Sequence, residues 1–356
     1  MSAEREKAAM LSALFEAAGA ICVKPPVLLP ADTLLDLYGE DILGRAYVTS
    51  DALRGTQMLR PDFTVPVVQM HMENGAEPAR YTYFGEVFRR QETHPERAHE
   101  YLQVGYEVFD RTCSVTADAE VFALISTALK DISVRAVTGD IGILSDAVLG
   151  LHTTEARKAA LTRHIWRPRR FRTLLDRFGG KSEMTKTHKA LIDGSLPQTA
   201  VKAGRRDTAE IEARIDALRA EANADPISSF EMDGVEALLN VRETLPFALS
   251  QMRDVAIDLP SISMAVDRFE LRIEKLAALG VAVDDLAFEA SYGRTSMEYY
   301  DGFVFGFYAN QRPDLPPLAT GGRYDALTKR LGNGIEIPAV GAVLRPELIV
   351  ELEKNQ

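Results

Sequence analysis

The sequence predicts an α+β fold: a mostly antiparallel sheet flanked by helices and interrupted by a helical insertion. Three observations carry that expectation. Strand-like text rich in Val, Tyr, Phe and Thr dominates residues 46–110. Near residue 150 the text turns rich in Arg, Ala, Leu and Glu, and it stays largely helical to about 255. Strand character then returns in LAFEASYG, EYYDGFVFGFYA and PAVGAVLR. Residues 298–308 read as part of the same sheet as residues 81–110, so an insertion fits better than two sequential domains. The expectation is one domain over residues 1–350, with residues 150–255 as the approximate insertion.

The elements follow in order. Residues 3–18 place Met10, Leu11, Leu14, Phe15 and Ala18 on one stripe of an amphipathic helix. The next stretch, CVKPPVLLP, is broken by proline and must be extended or turning. A helix is expected over 32–39, with Asp32 and Thr33 as cap candidates, and another over 116–131. Within the insertion, IEARIDALRAEA at 211–222 is the clearest periodic stretch.

Composition excludes several classes of function. The 356 residues are 46% hydrophobic and 26% charged, which suits a globular protein with a substantial core. A formal net charge of −11 argues against a partner held by its phosphate backbone, so no nucleic acid is expected. Cys22 and Cys113 stand far apart without metal-ligand spacing, so neither a disulfide framework nor a metal site is expected. No apolar run reaches bilayer length, and MSAEREKAAM lacks the apolar centre of a signal peptide. The expectation is a cytoplasmic protein with no membrane partner and no cofactor.

Five stretches could carry chemistry. In LRPDFT (59–64), Asp62 and Thr64 point the same way if the run stays extended, and a carboxylate beside a hydroxyl receives an ammonium group. The rival reading is a turn in which Asp62 caps a local amide. In YTYFGEVFRR and YLQVGYEVFD, period-two alternation puts Gly85 and Arg89 on one face of the first strand and Gln103, Gly105 and Glu107 on one face of the second, so that Gly85 and Gly105 on adjacent strands would leave a trough lined by Arg89, Gln103 and Glu107. Arg offers a fork for a carboxylate, while Gln and Glu offer acceptors for N–H groups, so an amino-acid site competes with a solvated polar face.

Tyr299 and Tyr300 precede an apolar strand and suit cross-strand packing unless the hairpin lies beside them. In TGGRYDALTKRLG (320–332), Gly321 and Gly322 suggest a tight turn before a short helix, without the spacing of a phosphate loop. Finally, RKAALTRHIWRPRRFR (157–172) holds the only Trp. It reads as a solvated face, a phosphate contact or a protein docking surface, with Arg163, Trp166, Arg169 and Arg170 as candidate partner contacts.

The order LRPDFT, GEVFRR…LQVGYEVF, EYYDGFVF, GGRYDAL…PAVGAVL resembles the catalytic domain of histidyl-tRNA synthetase over roughly residues 1–350. The resemblance implies a class II synthetase fold. It further implies that Asp62, Thr64 and Gln103 receive a histidine ammonium, that Glu107, Tyr299 and Tyr300 meet the imidazole, and that Arg89 lies near the carboxylate.

The departures fall on the nucleotide side. Where the family reads F-R-x-E, this chain has Phe88-Arg89-Arg90-Gln91, and Arg97 is followed by His99 where a second Arg is expected. The R-G-L-D-Y-Y strand is replaced by Thr295-Ser296-Met297-Glu298-Tyr299-Tyr300, with Arg294 one residue off. The family's G-x-E-R becomes Arg345-Pro346-Glu347-Leu348. Phosphoryl chemistry needs preorganised cations, so adenylation is not expected.

An anticodon-binding domain is not expected either. This combination is similar to the ATP phosphoribosyltransferase regulatory subunit family, whose members assist a short catalytic subunit in the first step of histidine biosynthesis. The resemblance implies that partner, L-histidine as effector, and a homodimer within a larger hetero-oligomer. Two rivals are a truncated histidyl-tRNA synthetase, or a paralogue that adenylates another substrate, and a module that binds a tRNA-like partner.

Overall fold

Ser2 stands in an extended conformation and its hydroxyl accepts the Arg5 amide, which starts α1 (Ala3–Ala17). The computed structural model describes residues 2–38, 41–91, 97–182, 185–195, 208–294 and 299–354. After α1 come β1 (Ile21–Cys22), β2 (Leu28–Pro30), α2 (Ala31–Tyr38), α3 (Asp41–Arg45), β3 (Val48–Asp51) and β4 (Gly55–Leu59). Strands β2, β4 and β3 form a small antiparallel sheet. The chain then makes α4 (Thr64–Asn74), β5 (Ala79–Phe88), β6 (Glu100–Phe109), α5 (Ser114–Ala128) and β7 (Val134–Asp140).

A helical stretch follows: α6 (Ile141–Gly150), α7 (Glu155–Arg163), α8 (Pro168–Phe178), α9 (Lys186–Ile192), α10 (Thr208–Ala222) and α11 (Ser229–Asn240). After the short strand β8 (Arg242–Thr244) come α12 (Leu245–Asp258) and α13 (Ser263–Ala278), so helix continues past residue 255. The chain closes with β9 (Ala287–Glu289), β10 (Phe303–Ala309), β11 (Ala319–Arg323), α14 (Asp325–Leu331), β12 (Ala339–Leu344) and α15 (Pro346–Glu353).

Among the described residues, nine strands form one sheet in the order β1-β5-β6-β12-β11-β10-β7-β9-β8. Its centre is antiparallel, and β1–β5 and β7–β9 are parallel pairs. Strand β10 therefore shares the sheet with the β5–β6 hairpin, as its apolar text predicts.

Helices α1, α5 and α13 back one face of this sheet. Phe15 meets Tyr106 at 5.3 Å between ring centroids, and the Tyr106 hydroxyl donates to Glu120 on α5. Strand β6 is buried from Tyr101 to Phe109, on both faces. Its polar residues are thus not a solvated edge. Beneath the sheet a buried charge network holds α5, α13, β7 and β11 together. Asp118 accepts from Arg272 at 3.0 Å and from Arg323 at 2.6 Å, while Arg272 also reaches Asp140 and Arg323 reaches Asp325.

Three expectations are corrected. Within the stretch read as strand, residues 64–74 form α4, because the turn after Pro61 starts a helix at Thr64. Gly321 and Gly322 lie inside β11 rather than in a turn. They are small because a Cβ on Gly322 would lie 2.8 Å from the Tyr300 ring and one on Gly321 only 2.7 Å from the Gly341 carbonyl. Gly85 and Gly105 leave no trough either: Arg60 and Phe63 press on Gly85, and the Tyr83 ring fills the space beside Gly105.

Candidate functional site

Pairing register decides which side chains meet. Across β5, β6 and β12, Glu107 lies opposite Tyr81 and Gly341, Gly105 opposite Tyr83 and Val343, and Gln103 opposite Gly85. Alternation puts Tyr101, Gln103 and Glu107 on the face away from α1 and α5. On that face α4, the Tyr299–Tyr300 segment and Tyr324 close over them. The resulting pocket is lined by Asp62, Thr64, Arg89, Gln103, Glu107, Tyr299, Tyr300, Thr320, Tyr324, Gly341, Ala342, Val343 and Arg345. All seven residues singled out from sequence as histidine-facing are brought together here. The lining encloses about 410 Å³ including its opening to solvent, but the cavity proper is only about 30 Å³, room for about two waters. An amino acid therefore enters only if side chains at the mouth shift.

Glu107 is the centre of the pocket. It is 1% exposed, and three hydroxyls donate to it: Thr64 at 3.2 Å and Tyr83 at 2.7 Å to Oε1, and Tyr324 at 2.6 Å to Oε2. Burial raises its pKa to about 7, and the three hydroxyl bonds oppose that rise. Tyr83 is fixed by stacking on Phe63, with centroids 4.4 Å apart and planes 12° from parallel. Gly341 is required beside the carboxylate, since a Cβ there would overlap Glu107 Oε2. Burial and the adjacent carboxylate push the Tyr83 and Tyr324 hydroxyls well above their usual range, so both stay donors.

The rest of the wall has unspent capacity. Gln103 is 1% exposed, and its Oε1 has no hydrogen-bond partner among the described residues. An unpaired buried acceptor of this kind is costly, and a ligand N–H meets it directly. Asp62 accepts the Val65 amide at 3.3 Å, so it caps the turn into α4 and also lines the pocket. Arg89 lies just past β5, anchored by its Nε to the Pro61 carbonyl at 2.6 Å. Tyr299 and Tyr300 stack edge-to-face at 4.9 Å, and Tyr299 meets the Tyr324 ring at 6.1 Å. One end of the pocket is thus carboxylate and hydroxyl, and the other is guanidinium.

The nucleotide-side positions do other work. Gln91 donates to the Ala98 carbonyl at 3.3 Å within its own loop. Glu347 accepts the Leu102 amide at 3.1 Å. Residues 295–298 lie outside the described residues. Arg294, the sequence neighbour of the missing arginine, is absent from the pocket lining: its Nε donates to the Ile165 carbonyl at 2.8 Å and its guanidinium sits over Phe171. Among the described residues there is no cluster of three His, Cys, Asp or Glu side chains able to hold a metal ion. Among the described residues no helix is long and apolar enough to cross a membrane.

Of the four candidate partner contacts, Arg163, Arg169 and Arg170 are exposed on α7 and α8. Trp166 is half-buried, and its indole donates to the Tyr300 carbonyl at 3.1 Å. Sequence reasoning missed Tyr324 and Gly341 as members of the site. The signal existed in the PAVGAVL stretch, where a glycine sits among apolar strand residues that pair with the Glu107 strand.

The model of the histidyl-tRNA synthetase family matches residues 1–228 and 214–349. A protein of Allorhizobium ampelinum named ATP phosphoribosyltransferase regulatory subunit is 32% identical over 92% of this chain and 92% of its own length. A protein of Brucella anthropi with the same name is 30% identical, over 90% of this chain and 89% of its own. A crystal structure from Bacillus halodurans, described as an ATP phosphoribosyltransferase regulatory subunit/histidyl-tRNA synthetase, superposes with a TM-score of 0.69. It is 20% identical and covers 98% of this chain and 79% of that one. The shared fold is the class II synthetase-like one.

Proposed function

The chain belongs to the ATP phosphoribosyltransferase regulatory subunit family, and on that premise we propose that it senses L-histidine without performing catalysis itself. In this reading the chain assists a short-form catalytic subunit in the first step of histidine biosynthesis. Histidine in the Glu107 pocket lowers the activity of the assembled complex. The assembly is built on a homodimer of this chain within a larger hetero-oligomer in the cytoplasm.

The observation that carries this reading is the buried Glu107, held by three hydroxyls, in one pocket with Gln103, whose Oε1 has no hydrogen-bond partner among the described residues. Such a wall supplies acceptors for a ring N–H and an ammonium group, and Arg89 supplies a cation for a carboxylate. A histidine zwitterion satisfies both ends. The lack of catalysis is supported by the other half of the family's site, where Gln91, Leu348 and the displaced Arg294 replace nucleotide-holding residues. Regulation requires that histidine bind the inhibited and active assemblies with different affinity. The small cavity makes that natural, because filling it moves the mouth. Trp166 joins the Tyr300 segment to the exposed arginines of α7 and α8, which we take as the docking face for the catalytic subunit.

The test is co-purification with a short-form catalytic subunit, followed by activity with and without histidine, and calorimetry of histidine on this chain alone. Stoichiometric histidine binding, inhibition of the complex, and no histidine-dependent pyrophosphate–ATP exchange are expected. Robust exchange would mean that the chain is a synthetase.

A further inference from the structure

The pocket holds a second arginine for which the synthetase motif has no counterpart. Arg345 occupies the first position of Arg345-Pro346-Glu347-Leu348, where the synthetase motif G-x-E-R carries glycine. It directly follows β12, and its amide donates to the Leu318 carbonyl at 2.9 Å. Leu344 pairs with Val104, so one step further along the register Arg345 comes beside Gln103. Its guanidinium lies over the Tyr101 ring at 5.7 Å and lines the same cavity as Arg89.

Among the described residues no carboxylate or hydrogen-bond acceptor meets that guanidinium. Burial draws its pKa below the usual range; the Tyr101 hydroxyl opposes this, and the like charges of Arg89 and Arg97 add to it. A guanidinium in a partly desolvated space with the like charge of Arg89 nearby is stabilised by an anion that enters beside it. The layout says which part of a ligand that anion belongs to. Gly341, opposite Glu107, stands four residues before Arg345, about 13 Å along the strand. The two long side chains, Glu107 and Arg345, reach into the intervening space from opposite ends.

We propose that Arg345 determines specificity: together with Arg89 it receives the carboxylate of the amino-acid ligand while Glu107 and Gln103 take its N–H groups. This rests on the amino-acid reading of the pocket and deepens it. The site then selects free amino acids, because an alcohol or ester at that carbon leaves Arg345 without its anion.

The experiment is calorimetry of the full chain with histidine and with histidinol, in which an alcohol replaces the carboxylate. Wild type is expected to prefer histidine. Arg345→Gln should weaken histidine roughly 10- to 100-fold, the loss of one charge-assisted pair, and leave histidinol within about twofold. Arg345→Lys should recover part of the histidine affinity, and thermal melting reports that each variant is folded. Equal weakening of both ligands, or of neither, overturns the proposal while leaving the pocket reading intact. So does competition by inorganic phosphate that Arg345→Gln abolishes without changing histidine affinity. A folded wild-type chain that binds no histidine overturns both.

Discussion

The Trp166 indole donates to the backbone carbonyl of Tyr300 at 3.1 Å, joining a residue of the Arg-rich α7–α8 stretch to a wall of the buried pocket. Tyr300 is itself 6% exposed, and its hydroxyl is kept protonated by burial beside Glu107. If α7 and α8 are the docking face proposed above, their movement would reach the pocket through this bond and the packing around it.

Trp166→Phe removes the donor and keeps most of the ring. One hydrogen bond contributes about 1 kcal/mol, so the histidine concentration giving half inhibition of the complex should rise about fivefold. Dose–response curves of wild-type and variant complexes measure this. Superimposable curves would mean that Trp166 serves packing alone.

Gly341 is the clearest steric constraint at the site. A Cβ there overlaps Glu107 Oε2, so Gly341→Ala must push the carboxylate away from the Tyr324 hydroxyl. Overpacking of this kind costs about 1–3 kcal/mol, and histidine affinity should fall at least about tenfold. The double variant Gly341→Ala with Glu107→Asp withdraws the carboxylate by one methylene and should recover much of the stability but not the affinity. Urea unfolding and calorimetry separate the two. A single variant with wild-type stability and affinity would show that Glu107 has room to move.

How much of this was legible beforehand depends on the range of the contact. Glu107, Gln103 and Tyr101 share a face because side chains alternate along a strand, which is a local rule. Tyr324 and Arg345 reach the same pocket only because β11 and β12 pair beside β6, more than two hundred residues away in sequence. No local pattern encodes that approach. Gly85 and Gly105 show the opposite error: a small residue does signal close approach, but the approaching groups are Arg60, Phe63 and Tyr83 rather than a ligand. Asp62 and Thr64 reach the site for a reason that an extended reading does not contain, since the chain turns into α4 between them and still leaves both side chains on the pocket.

Asp118 is bound to two buried arginines and connects α5 to α13 and β11. Asp118→Asn keeps the volume and removes the charge. Arg272 and Arg323 retain Asp140 and Asp325, so the cost should be near the lower end for a broken buried pair, about 3 kcal/mol. A change below about 1 kcal/mol in chemical unfolding would show that the outer aspartates suffice.

Glu107 makes the pocket sensitive to pH near neutrality. Its folded pKa of about 7 stands above the ordinary glutamate value of 4.5 because burial penalises the ionised form. The native state therefore holds a proton that the unfolded chain releases between those values, and stability contributed by this group falls as pH rises from about 4.5 through about 7. The full effect is a few kcal/mol. Asp301, also raised to about 7 by burial and by Asp325, acts in the same direction. Glu107→Gln should flatten this decline without abolishing it. Ligand binding runs the other way. A ligand N–H favours the ionised carboxylate, so histidine affinity should drop as pH falls below about 7, by up to about tenfold per unit. Calorimetry at pH 6.5 in two buffers of different ionisation heat should detect proton release from wild type and less from Glu107→Gln, the difference isolating this carboxyl from the titration of histidine itself. Identical proton release from the two proteins would mean that Glu107 does not take a ligand proton donor.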